Sequence, residues 1–248
     1  MERIIKDNKL SVIPEVLIFD MDNTLIDLKE SNRLTYIQMY KALNRSFCDD
    51  KFNKIYCLEH EYWQKVNTNK IIIPKEHNTS FEEIQTYIRY HWIENVWQVP
   101  YDEAPKIYKL YCEIIRDNIV PIQNVEEVIK YLSSKYTLII ASNGDESLIE
   151  HKLKAANIDN CFKCIICGHE IKAFKPEVKF FNNLMKQINY HNISKMIMIG
   201  DDISTDVQGA INAGITPIWY NIRNEIVVNH DLNKHITIKE LQDLKEIL

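Results

Sequence analysis

Five short apolar runs, at residues 16–19, 136–141, 164–167, 196–199 and 215–219, are bounded by polar or turn-forming residues and set among segments of helical spacing. A continuous apolar run suits a strand buried on both faces, and helices between such strands cover both faces of a parallel sheet. The predicted fold class is therefore α/β, a parallel sheet flanked by helices. One intervening helix is marked by Val125, Val128, Ile129 and Leu132, with Asn124 placed as its N-cap. Ile236 and Ile238, followed by residues 240–248, predict a last short strand and a closing helix.

One interval interrupts this rhythm. Between residues 28 and 118 no buried strand is evident, and helical periodicity dominates. Phe52, Ile55, Glu59, Tyr62 and Val66 form one amphipathic stripe with a single polar exception. Ser80 and Glu83 resemble a capping box before the stripe Phe81, Ile84, Ile88, Trp92, and a further helix carries Ile107, Tyr111, Ile114 and Ile115. Residues 1–28 and 119–248 are thus expected to form the α/β domain, with residues 29–118 an inserted helical domain. The insertion is aromatic. Most of Tyr56, Tyr62, Trp63, Tyr87, Tyr90, Trp92 and Trp97 are expected to pack among themselves, leaving one or two as a stacking platform.

Composition narrows the function classes. A 46% hydrophobic and 26% charged chain of 248 residues buries a core and lacks the signature of disorder. Its net charge of −5, without a basic block, disfavours nucleic-acid polymers and anionic membranes as partners. Five glycines form neither G-x-G-x-x-G nor a P-loop; Gly209 and Gly214 have a similar gap but are followed by Ile215. Charges at Glu2, Arg3, Lys6, Asp7 and Lys9 leave no room for a secretion signal, and no apolar run nears a membrane span, so a cytoplasmic location with six reduced cysteines is expected. Cys161, Cys164 and Cys167, with His169 beyond, have a metal-like spacing. Steps of three along a strand alternate faces, however, so these thiols read as small buried hydrophobes. The eight histidines show no ligand or triad arrangement.

In open α/β sheets ligands bind beyond the carboxyl ends of the strands. There the sequence places Asp20-Met21-Asp22-Asn23-Thr24 after the first run, Ser142-Asn143-Gly144 after the second, and Gly200-Asp201-Asp202 with Asp206 after the fourth. Lys175-Pro176 precedes a helical stretch, with Pro176 suited to the first helical position. If the first strand persists, Asp20 and Asp22 share a face. Singly, each group reads as a cap, a turn former or a solvated charge. Together they make a chemical set: a nucleophile, a second acid or base, a hydroxyl, a cation and further carboxylates.

Asp20-x-Asp22-x-Thr24, Ser142, Lys175 and Gly200-Asp201-Asp202 with Asp206 resemble, in order, the four motifs of the haloacid dehalogenase-like (HAD) superfamily. Residues 200–221 are similar in pattern to its YjjG/YfnB-like pyrimidine nucleotidase branch, and the helical insertion resembles the C1 cap. The resemblance implies a Rossmann-like core, Mg²⁺ as cofactor, and a phosphatase acting on a small phosphorylated metabolite such as a 5′-nucleotide. By the same resemblance Asp20 is the nucleophile, and Asp22 protonates the leaving group and then activates water. Asp20, the Asp22 carbonyl and Asp201 hold the metal, while Thr24, Ser142, Asn143, Gly144 and Lys175 bind phosphate. Asp202 and Asp206 orient waters or Lys175. The second aspartate favours phosphate esters over carbon–halogen bonds. A phosphomutase using the same pair, or an interaction protein with an idle site, are the rival readings. The assembly is expected to be a monomer or homodimer, and the cap to close on linkers at 27–29 and 118–123, the latter containing Pro121.

Overall fold

The structure, a computed structural model, describes residues 5–6, 9–10, 13–67, 70–225 and 235–248. Glu2, Arg3 and Asp7, read above against a secretion signal, lie outside them. The chain divides into two compact units, Met1–Leu28 with Val120–Leu248, and Lys29–Ile119.

In the first unit β1 (Ile5–Lys6) and β2 (Lys9–Leu10) pair antiparallel. A separate six-stranded sheet follows, formed by β3 (Val16–Phe19), β4 (Thr137–Ser142), β5 (Cys164–Cys167), β6 (Met196–Gly200), β7 (Thr216–Tyr220) and β8 (Ile236–Ile238). The spatial order is β5-β4-β3-β6-β7-β8, with every pairing parallel. β3 is central and wholly buried, which is why its sequence, Val-Leu-Ile-Phe, has no polar face. Phe19 is in register with Ile140 of β4 and Ile199 of β6, so the residues that follow these strands emerge along one sheet edge.

β4 and β7 start one residue later than their apolar runs. The Tyr136 amide donates to the Leu132 carbonyl and the Ile215 amide to that of Ala210, so each run's first residue completes the end of the preceding helix.

The second unit is helical among its described residues: α1 (Leu28–Ala42), α2 (Asp49–Asn67), α3 (Phe81–Trp97) and α4 (Ala104–Ile115). Glu59, the polar exception on the α2 stripe, is buried. Its carboxylate accepts from Asn32 Nδ2 at 3.3 Å and the Tyr36 hydroxyl at 3.0 Å, and the Tyr111 hydroxyl donates to Asn32 Oδ1. Ser80 caps α3 by accepting from the Glu83 amide, while the Glu83 carboxylate takes the Thr79 hydroxyl, giving half of the expected box. The aromatic side chains pack on one another: Trp92 lies 5.8 Å from Trp63 and 5.3 Å from Tyr111, and Tyr36 lies 4.9 Å from Trp97.

The first unit resumes with α5 (Val125–Ser133), α6 (Glu146–Ala155), α7 (Gly168–Ile171), α8 (Val178–Ile188), α9 (Gln208–Asn212) and α10 (Leu244–Ile247). Asn124 does precede α5, but it adopts a left-handed backbone (φ 62°) and makes no side-chain cap; it acts as a turn residue, which asparagine tolerates well. Pro176 does not open α8. The Lys175–Pro176 peptide is cis, and the helix begins at Val178. Phe180, Phe181 and Leu184 of α8 pack on Val16, Ile18, Ile139 and Met198 in the main core. The two connecting chains run side by side: Ile26 and Pro121 form an antiparallel bridge, and the Asp27 amide donates to the Val120 carbonyl at 2.8 Å. Among the described residues no helix is long and apolar enough to cross a membrane.

Candidate active site

Asp20 directly follows β3, and its amide still donates to the Ile199 carbonyl of β6 at 2.9 Å. The strand does not persist further. The chain turns through Asn23 at φ 60°, with the Leu25 and Ile26 amides both directed to the Met21 carbonyl. The shared-face expectation for Asp20 and Asp22 therefore fails in its reason, because a turn and not strand alternation places Asp22. The two carboxylates meet different cations: Asp20 pairs with Lys175 and Asp22 with Lys152.

Lys175 is almost wholly buried. Its Nζ donates to Asp20 Oδ1 and to Asp206 Oδ1, each at 2.6 Å. The other Asp206 oxygen accepts from the Asp202 amide at 3.1 Å. This brings Asp206 against the end of β6, where the residue must be small: a Cβ on Gly200 would lie 2.2 Å from Asp206 Oδ2. Asp201 is held from several sides. Arg223 Nη1 donates to its Oδ2 at 2.7 Å, and the Trp219 indole donates to its carbonyl at 2.9 Å. Thr24, expected among the phosphate ligands, is fully buried, and its hydroxyl lies 3.5 Å from Asp201 Oδ1. Asp202 does not orient Lys175. Its Oδ1 accepts from the Ser204 and Thr205 amides and caps the π-helical turn Ile203–Val207.

Asp20, Asp201 and Asp206 each offer an oxygen, and these oxygens lie within 4.8 Å of one another. Burial raises all three carboxyls above their ordinary value, Asp206 to about 7; neighbouring carboxylates add to the effect, Asp22 at Asp20 and Asp20 at both Asp201 and Asp206, while Lys175 opposes it at Asp20 and Asp206 and Arg223 at Asp201. At Lys175 burial acts to lower the ammonium's pKa, but Asp20 and Asp206 outweigh it and keep the group charged. A close set of hard oxygen donors whose own charges disfavour one another fits a small divalent cation. The Asp22 carboxylate is outside this set, whereas Asp206 is inside it.

Ser142 ends β4, and its Oγ accepts from the Gly144 amide at 3.0 Å. The Asn143 side chain both donates to and accepts from the Lys175 backbone, so it ties this loop to the one carrying the lysine. Asp145, not Ser142 or Asn143, caps α6. Cys167 at the end of β5 is buried, Cys164 at its start is half-buried and Cys161 lies half-buried in the turn before it; burial raises the Cys164 and Cys167 thiols, that of Cys167 to about 12, so the buried-hydrophobe reading holds for Cys167. His169 packs edge-on against Phe174.

Sequence reasoning missed Lys152 and Arg223. Lys152 had a signal, since it falls between Ile149 and Leu153 on the buried face of α6, where a cation requires a partner. Arg223 had none, because it lies in a loop after β7.

The sequence profile of the haloacid dehalogenase-like hydrolases matches residues 17–220. N-acylneuraminate-9-phosphatase from Mus musculus is 23% identical over 242 residues, covering 94% of this chain and 92% of that one. The pyrimidine 5′-nucleotidase PynA of Streptococcus pneumoniae is 23% identical over 83% of each chain. Among solved structures, the magnesium-bound HAD-hydrolase YfnB of Bacillus subtilis superposes with a TM-score of 0.81 at 18% identity, covering 95% of this chain and 98% of its own. With most of its length matched and its strand-end motifs in the order described, the chain belongs to the haloacid dehalogenase-like hydrolase family.

Proposed function

We propose that the protein is a Mg²⁺-dependent phosphatase that hydrolyses a small phosphorylated metabolite, with a 5′-nucleotide as the leading substrate class. The observation that carries this reading is the buried group of Asp20, Asp201 and Asp206 around Lys175 at the ends of β3 and β6. Relatives named as pyrimidine 5′-nucleotidases and as N-acylneuraminate-9-phosphatase support the substrate class.

Asp20 is the nucleophile, and its attack on phosphorus gives an aspartyl-phosphate, dividing one difficult displacement into two. Lys175 orients Asp20 and balances part of the local negative charge. Asp22 gives a proton to the leaving oxygen and later takes one from the hydrolytic water. Ser142 and the Asn143 and Gly144 amides receive phosphate oxygens. Asp20 and Asp201, with Asp206 or the Asp22 carbonyl, would hold Mg²⁺, which when bound supplies charge neutralisation to the phosphoryl group. The helical unit 29–119 is the substrate-selecting element.

A phosphate-release screen across phosphorylated metabolites with Mg²⁺, run beside Asp20→Asn, tests the proposal. Wild type should release phosphate, and Asp20→Asn should lose at least about 1,000-fold while staying folded, since a neutral amide is a poor nucleophile. Turnover undiminished in Asp20→Asn would overturn the reading.

A further inference from the structure

On the buried face of α6, in line with Ile149 and Leu153, stands a lysine where an apolar side chain would pack without cost. Lys152 leaves only 4% of its side chain exposed, and its ammonium meets Asp22 Oδ1 at 2.5 Å across 130 positions of sequence. Burying an ammonium is unfavourable by several kcal/mol unless a charged partner and good geometry offset it. The position therefore answers a requirement of Asp22 more than one of the core.

That requirement follows from the turn. β3 has ended and Asn23 is left-handed, so regular strand geometry does not aim the Asp22 carboxylate. Lys152 does. An ammonium carries three donors and no acceptor, so the oxygen it holds cannot also bear a proton pointing at it. With Oδ1 engaged by Lys152, the carboxylate is held in one orientation that the turn alone does not impose.

We propose that Lys152 is a positioning residue for phosphoryl transfer, holding the Asp22 carboxylate through Oδ1 so that Oδ2 is the oxygen presented to the leaving group. This rests on the proposed phosphatase reading. The Oδ2 proton passes to the leaving oxygen as the P–O bond breaks. Oδ2 then takes a proton from the water that attacks the phosphorus of phospho-Asp20, and the Asp20 carboxylate and inorganic phosphate are released.

The test compares wild type, Lys152→Met and Lys152→Arg, each also combined with Asp22→Asn, on phenyl phosphate and p-nitrophenyl phosphate with Mg²⁺. The phenolate of the former is the poorer leaving group and depends more on protonation. Lys152→Met should lower kcat on phenyl phosphate by roughly 10- to 100-fold, as expected for a misplaced catalytic group, and by less than about 3-fold on p-nitrophenyl phosphate, with KM nearly unchanged. Lys152→Arg should restore most of the loss. In the Asp22→Asn background Lys152→Met should change little, because the group it positions is already disabled.

Equal losses on both substrates, or an undiminished loss in the Asp22→Asn background, would overturn the proposal and leave Lys152 a structural residue. If circular dichroism shows Lys152→Met unfolded, Lys152→Gln, which keeps a donor without the charge, is read by the same criteria. The two readings fail separately: active Asp20→Asn removes the phosphatase mechanism itself, whereas inert Asp20→Asn with fully active Lys152→Met removes only the role of Lys152.

Discussion

Asn143 and Lys175 exchange two hydrogen bonds in opposite directions: Asn143 Nδ2 donates to the Lys175 carbonyl at 3.0 Å, and the Lys175 amide donates to Asn143 Oδ1 at 2.9 Å. The pair fixes the backbone from which the lysine reaches Asp20 and Asp206. Asn143→Ala should lower the unfolding free energy by about 1–3 kcal/mol, the range for losing two bonds and leaving the Lys175 amide and carbonyl behind, and slow turnover without abolishing it. Urea denaturation and phosphate release on the same preparation check both effects.

Mg²⁺ should raise the melting temperature of the wild type, because a ligand that binds only the folded state stabilises it, and Asp201→Asn should remove most of that rise. The increment should be larger at pH 8 than at pH 6. Asp201 and Asp206 are raised by burial, Asp206 to about 7, so protons compete with the cation on the acid side. Thermal melts with and without millimolar Mg²⁺ at the two pH values measure the difference.

Glu146 titrates at about 7 against an ordinary 4.5, chiefly because it shares a hydrogen bond with Glu170, with burial adding to the rise. The folded state thus binds this proton more tightly than the unfolded chain does. The stability it contributes is complete below about pH 4.5 and is lost as pH rises towards 7. Glu146→Gln should flatten the decline in melting temperature across that window, as read from melts in a buffer series without added metal.

Trp92 is buried against Trp63 and Tyr111. Trp92→Ala should destabilise the helical unit by roughly 3–5 kcal/mol, the usual cost of emptying a large aromatic site. Chemical denaturation followed by far-ultraviolet circular dichroism checks this.

The strands were legible because burial on both faces demands unbroken apolar runs, and the strand-end carboxylates were legible because α/β sheets place ligands there. Side-chain direction was not. Asp22 leaves the strand's alternation through a turn at Asn23, and the partnership of Asn143 with Lys175 joins loops 32 residues apart. Likewise Asp202 and Asp206 belong to one motif, but only the three-dimensional turn sends the first to cap backbone amides and the second to Lys175. Lys152 went unread although it is a cation on an apolar stripe, and its partner lies far away in sequence.

The bridge between Ile26 and Pro121 gives the excursion through residues 29–119 a narrow base. For the sheet, that excursion is a loop whose two feet are already joined. Since each doubling of a flexible loop's length costs only about 0.6 kcal/mol in closure entropy, the sheet is nearly indifferent to how much chain hangs from those feet. Evolution can therefore lengthen, shorten or exchange the insertion as a module while the carboxylates at the ends of β3 and β6 keep their register.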